Sequence, residues 1–85
     1  MFDHVEFLSD PTQWPGTGSK RACAVKNYNG SQPGGFPPLE NFGMLISVNG
    51  KVFTNDGCVI IFRDGFEPLA YATIEAMVAD GWEVD

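Results

Sequence analysis

The chain has 85 residues, 44% of them hydrophobic and 19% charged, with a net charge of −6. That length suits one domain, residues 1–85, with a single modest core and no room for a second, and the apolar content excludes wholesale disorder. An acidic balance without a basic stripe argues against direct nucleic-acid binding, because phosphate contacts call for clustered Lys and Arg.

The placement of the charge says more than its size. Residues 1–63 hold the acids Asp3, Glu6, Asp10, Glu40 and Asp56 and the bases Lys20, Arg21, Lys26, Lys51 and Arg63, which balance. Residues 64–85 carry Asp64, Glu67, Glu75, Asp80, Glu83 and Asp85 and no base, so the imbalance belongs to the C-terminal element. No apolar run approaches the roughly 18 residues of a membrane span, and the MFDH opening lacks the basic and apolar regions of a secretion leader. The sequence therefore predicts a cytoplasmic protein, of the cell or of an infected host cell, with no membrane partner. In a reducing compartment Cys23 and Cys58 are small buried hydrophobes, and with His4 as the one imidazole no metal or cofactor is expected.

Taken in order, Phe2 to Leu8 alternates weakly and reads as an edge strand, ended by Pro11. Residues 9–20 form a loop carrying Trp14. Its piece PGTGSK shares glycines with phosphate-binding loops but fails the GxxxxGK[ST] pattern between strand and helix. Arg21 to Tyr28 reads as a second strand. Residues 27–43 are a long Gly- and Pro-rich loop studded by Tyr28, Phe36 and Phe42, either a lid on the core or a binding loop.

Residues 44–63 contain Asn49-Gly50 and Asp56-Gly57 between apolar runs, the strongest short hairpin signals, since a type I′ turn needs positive φ at both central residues. They predict a three-stranded meander. With two-residue turns, Met44, Ile46, Val48, Phe53, Cys58, Ile60 and Phe62 share the face expected to be inner, and Phe53→Ala should cost about 3 to 5 kcal/mol. Leu45, Ser47, Val52, Thr54, Val59, Ile61 and Arg63 take the other face, an apolar surplus that suits a dimer, a partner or cover by the long loop. A bulged three-residue turn at Asn55 to Gly57 would exchange the faces of the third strand. Pro68 reads as the start of a helix over 68–80 whose stripe of Ala70, Ile74, Met77 and Val78 packs on the inner face, closed by Gly81. Residues 82–84 are open to a short strand.

The expected fold is therefore α+β: a small antiparallel sheet, the three-stranded meander 44–63 plus one or two N-terminal strands, packed by one C-terminal helix 68–80. One His, two separated cysteines and no clustered carboxylates give little for acid–base or nucleophilic chemistry, so a binding protein rather than an enzyme is expected. The candidate partner-binding residues are the acids Glu67, Glu75, Asp80 and Glu83 with Tyr71, and the loop aromatics Trp14, Tyr28 and Phe36. They suit a small acidic protein that occupies a basic surface of a partner protein, plausible for a virus- or mobile-element-encoded inhibitor of a host protein such as a defence nuclease. Two alternatives stand beside it. One is a module sequestering a nucleotide or other small ligand, with Trp14 or Phe36 stacking on the base. The other is a structural subunit, with homodimer formation included.

Overall fold

In the computed structural model, which describes residues 2–16 and 18–85, the strands are β1 (Ala22–Asn27), β2 (Phe42–Val48), β3 (Lys51–Val52), β4 (Thr54–Asn55), β5 (Cys58–Arg63), β6 (Phe66–Tyr71) and β7 (Trp82–Val84), with helices α1 (His4–Ser9) and α2 (Ile74–Ala79). Met1 and Thr17, the latter within the segment compared with a phosphate loop, lie outside the described residues. The class is α+β, mostly antiparallel sheet. No helix among the described residues is long and apolar enough to cross a membrane.

Both Gly turns form as their chemistry dictates. Asn49 and Gly50 have φ of 53° and 76°, Asp56 and Gly57 of 51° and 78°, and the flanking pairs are Val48↔Lys51 and Asn55↔Cys58. The turns are thus two-residue, unbulged and type I′ in sign. The meander itself is not there. β2 and β5 pair antiparallel at Met44↔Phe62, whereas two hairpins sharing one straight middle strand would leave their outer strands parallel. The middle strand therefore breaks at Phe53, and its halves β3 and β4 fill the fork where β2 and β5 diverge. Gly43 permits the close approach: a Cβ there would overlap Cγ2 of Ile61 and lie 3.0 Å from the Phe62 carbonyl oxygen.

The sheet runs β7-β1-β2-β5-β6, with β3 on β2 and β4 on β5. It curls into a half-barrel, so that the edge strands β6 and β7 meet through a hydrogen bond from Trp82 Nε1–H to the Tyr71 hydroxyl. The concave side holds Cys23, Val25, Leu45, Val59 and Ile61, covered by Leu8 of α1, Trp14, Ile74 and Met77 of α2, and Trp82. This inverts the expected faces. Leu45 and Ile61 are fully buried, while Met44 and Val48 are 42% and 39% exposed. The two turn registers are as expected, Val48↔Lys51 and Asn55↔Cys58, but Phe62 pairs with Met44 and not with Lys51. Both faces are apolar, Ile60 of the convex side being buried too, and the side that becomes core is decided by where α1, Trp14 and α2 lie. Phe53 is half-buried on the convex side, its ring 5.9 Å from that of Phe62.

Two further elements correct the sequence reading. The N-terminal segment is a helix rather than an edge strand: the Asp3 carboxylate accepts the Glu6 N–H at 3.0 Å, a cap that satisfies an otherwise unpaired donor of the first turn. Residues 68–80 do not form one helix. Asp64-Gly65 is a third hairpin turn, and β6 pairs with β5 through Ile61↔Leu69, Ile60↔Ala70 and Val59↔Tyr71. Pro68 sits where the register slips between Ile61 and Arg63, a bulge that tolerates a missing N–H. The helix starts only after Thr73, whose hydroxyl oxygen accepts the Ala76 N–H at 3.0 Å, and ends at Ala79 with Asp80 as its C-cap, the chain turning away at Gly81, whose φ is 106°. Residues 82–84 do add a strand, β7, antiparallel to β1. The irregular stretch ends earlier than expected, because Leu39–Asn41 makes a 3-10 turn and Phe42 already belongs to β2.

Candidate functional site

Cys23, packed in the core, and His4, through a hydrogen bond, serve the fold. Burial pushes the Cys23 thiol up to about 11, so it stays protonated at neutral pH, and Cys58 is also unpaired. His4 Nδ1 accepts the Val84 N–H at 3.0 Å, tying α1 to β7. Among the described residues no three His, Cys, Asp or Glu side chains gather as a metal site would require.

Of the acidic set, Asp80 lies at the seam where the sheet's edges meet. The Tyr71 hydroxyl donates to Asp80 Oδ2 at 2.5 Å and accepts from Trp82 Nε1–H at 3.0 Å. Burial raises the phenol first, and the Asp80 carboxylate raises it further, against the opposing Trp82 bond. The Asp80 carbonyl oxygen accepts from Asn27 Nδ2 at 3.0 Å and Asn29 Nδ2 at 2.8 Å. An acid at the unfavourable end of a helix dipole thus has a structural reason in its side chain, which joins α2 to β6 through Tyr71, while its main-chain carbonyl ties α2 to Asn27 of β1. Glu67 and Glu75 are exposed, and Glu83 is half-buried. The fold also returns cations to this acid-rich segment. Lys26 faces Glu83 across the β1–β7 pair, with its ammonium 3.2 Å from the Asp85 carboxylate and 5.3 Å from the centre of the Tyr28 ring. Arg63 Nε donates to the Glu67 carbonyl at 2.8 Å, and Nη1 to the Glu40 carbonyl at 2.9 Å.

The loop aromatics divide. Trp14 is 2% exposed, and its indole N–H donates to the Phe7 carbonyl at 2.9 Å, so it is a core residue and not a partner-facing ring. Its loop is drawn in by Arg21, whose Nη1 donates to the carbonyls of Thr12 and Trp14. Tyr28 is partly exposed beside Lys26. Phe36 is 90% exposed and Leu39 is 78% exposed.

Covalent sterics shape this last pair. A residue before proline is held extended, which constrains both Phe36 and Pro37, and Pro38 has φ −58° and ψ 156°. Residues 36–38 are therefore confined to extended backbone, and the three-residue period of a polyproline II path would set Phe36 and Leu39 on one edge, about 9 Å apart. Pro37, on another edge, is buried. The segment is pinned on both sides: Gly35 N–H donates to the Gln32 carbonyl at 2.8 Å, Asn41 Nδ2 to the Asn29 carbonyl at 2.9 Å, and Arg63 holds Glu40. The result is an outward knob on an ordered turn. Phe36 was a sequence candidate, but Leu39 was not. Its signal was the three-residue period of FPPL, which a search for periods of 2 and 3.6 passes over.

The knob leads into the end of the β1–β2 ribbon where Lys26 pairs with Phe42. At the other end, where Ala22 pairs with Ile46, lies a groove of about 610 Å³ lined by apolar Pro15, Ala22, Ile46 and Val48, with Lys20 and Arg21 beside them. Comparison with protein-family models, curated proteins and solved structures finds no match to this chain.

Proposed function

We propose that this is a small acidic binding protein that occupies the surface of a partner protein, in the manner of an inhibitor encoded by a virus or mobile element and directed at a host protein such as a nuclease. The observation that carries the reading is the knob: Phe36 and Leu39 are 90% and 78% exposed on a turn fixed by two prolines and by hydrogen bonds on both sides. An aromatic and an aliphatic anchor on a rigid turn supply contact area with little ordering cost, the condition under which a few residues dominate an interface. Glu40 beside Leu39 and the net charge of −6 favour a partner with a basic rim, and Glu67 and Glu75 add to the field that steers association.

Affinity capture followed by mass spectrometry, run with the native chain and a Phe36→Ser/Leu39→Ser variant, tests this. Both residues are exposed, so the variant should melt as the native chain does and yet lose its partner. Neutralising Glu67 and Glu75 together should slow association and reduce its salt dependence. A double variant that captures the same partner with undiminished affinity overturns the role of the knob.

A further inference from the structure

We propose that the groove at the far end of the β1–β2 ribbon is a socket for the knob of a second copy, so that the protein associates head to tail. The inference rests on reading the Phe36 to Leu39 turn as a binding element, and adds the identity of one occupant. Three features join the surfaces. The first is apolar chemistry: the knob offers Phe36 and Leu39, and the groove offers Pro15, Ala22, Ile46 and Val48. Its volume of about 610 Å³, open to solvent on one side, leaves room for an apolar side chain to enter. The second is charge. Lys20, exposed at the groove, is one of only five cations in a chain of net charge −6, and Glu40 follows Leu39 directly. A seated knob brings that carboxylate to the basic rim, where opposite charges offset the mutual repulsion of two acidic molecules. The third is position. The groove lies where Ala22 pairs with Ile46 and the knob beyond the Lys26↔Phe42 pair, so a chain cannot fill its own socket. Two different patches meeting make a heterologous contact, which extends as a filament or closes as a ring.

The experiment uses the full chain in three forms: native, knobless (Phe36→Ser/Leu39→Ser) and socketless (Val48→Asp/Lys20→Glu), all altered at exposed positions and checked by melting temperature and circular dichroism. Sedimentation velocity from micromolar to millimolar concentration should show the native mass rising steadily with concentration and each variant alone remaining monomeric. An equal mixture of the variants retains one intact knob and one intact socket, and should give a one-to-one dimer and nothing larger. Self-association of either variant should be at least about tenfold weaker than that of the native chain. A native chain that stays monomeric at millimolar concentration overturns the socket, as does association that survives in both variants or a mixture that does not pair. If the native chain is monomeric while the knobless variant still loses an external partner, the socket falls and the proposed function stands. If head-to-tail assembly is confirmed and the knobless variant captures the external partner normally, the knob serves self-association alone.

Discussion

Removing the phenolic oxygen of Tyr71 strands the Trp82 Nε1–H, on a residue only 2% exposed, while the exposed Asp80 carboxylate is left to water. Tyr71→Phe should therefore cost about 1 to 3 kcal/mol in urea unfolding, the penalty of a buried donor left unpaired. Asp80→Asn should cost less, since its amide oxygen still accepts the hydroxyl. Two large aromatics on opposite sides of the sheet offer a second comparison. Trp14→Ala, which empties a fully covered position and abandons its bond to the Phe7 carbonyl, should cost about 3 to 5 kcal/mol. Phe53→Ala, at a half-buried convex position, should cost only about 1 to 2 kcal/mol, in proportion to the area it covers. Equal losses would mean that the concave and convex sides are equally core-like. At Gly43, Gly43→Ala drives a methyl into Ile61 Cγ2 and toward the Phe62 carbonyl and should destabilise by about 1 to 3 kcal/mol, as overpacking does.

At the scale of elements, the caps matter because the helices are only six residues long. Asp3→Ala leaves the Glu6 N–H unpaired and should lower stability by about 0.5 to 2 kcal/mol, while Asp3→Asn should be near neutral. The same residue shows why this helix was hard to read. Over six residues an alternation of Val5 and Phe7 is indistinguishable from a helical spacing of Val5 and Leu8, and the deciding sign was the Asp3-x-x-Glu6 cap. The turns at Asn49-Gly50 and Asp56-Gly57 were legible because their φ values are dictated by two adjacent residues. Asp64-Gly65 carries the same signal, but Pro68 four residues later invited a helix start, and only the bulge explains how a strand holds it. Which sheet face is core was not legible, since both faces are apolar and the cover comes from residues distant in sequence. Among the site candidates, Tyr28 and Phe36 follow from aromatic type in an irregular segment. Trp14 sits in an equally irregular one, and its burial depends on Phe7 and Arg21, which no local pattern announces.

For the whole molecule, several shifts act in one direction on the alkaline side. The folded state holds the Cys23 proton more tightly than an unfolded chain, its thiol moved from 9.0 to about 11. Stability from this group is therefore complete below pH 9.0 and lost as pH rises toward 11, an effect of roughly 2 to 3 kcal/mol. Lys26, raised by its contact with Tyr28 and then by Asp85, and Tyr71, raised by burial and Asp80, lose stabilisation with rising pH in the same sense. Asp10 is held below its ordinary 3.8 by the Thr12 and Gln13 side chains, so its contribution is present above that value and lost as pH falls beneath it. Urea midpoints should be level through neutral pH, and should decline above about pH 9 as native-state protons are lost. Cys23→Ala, though less stable at its plateau, should decline less steeply there.

The bond between His4 and Val84 spans 80 positions in sequence, and α1 packs on α2 and β7 as well. Until β7 leaves the ribosome, α1 has neither its hydrogen-bond partner nor much of the surface that buries Leu8, and a six-residue helix alone does not persist in water. Folding of the first helix therefore waits on synthesis of the last strand. A nascent chain stalled before Trp82 should display an N-terminal segment open to proteases that closes once β7 has emerged, and refolding should be slow for so short a chain, because a contact that completes it spans 80 positions.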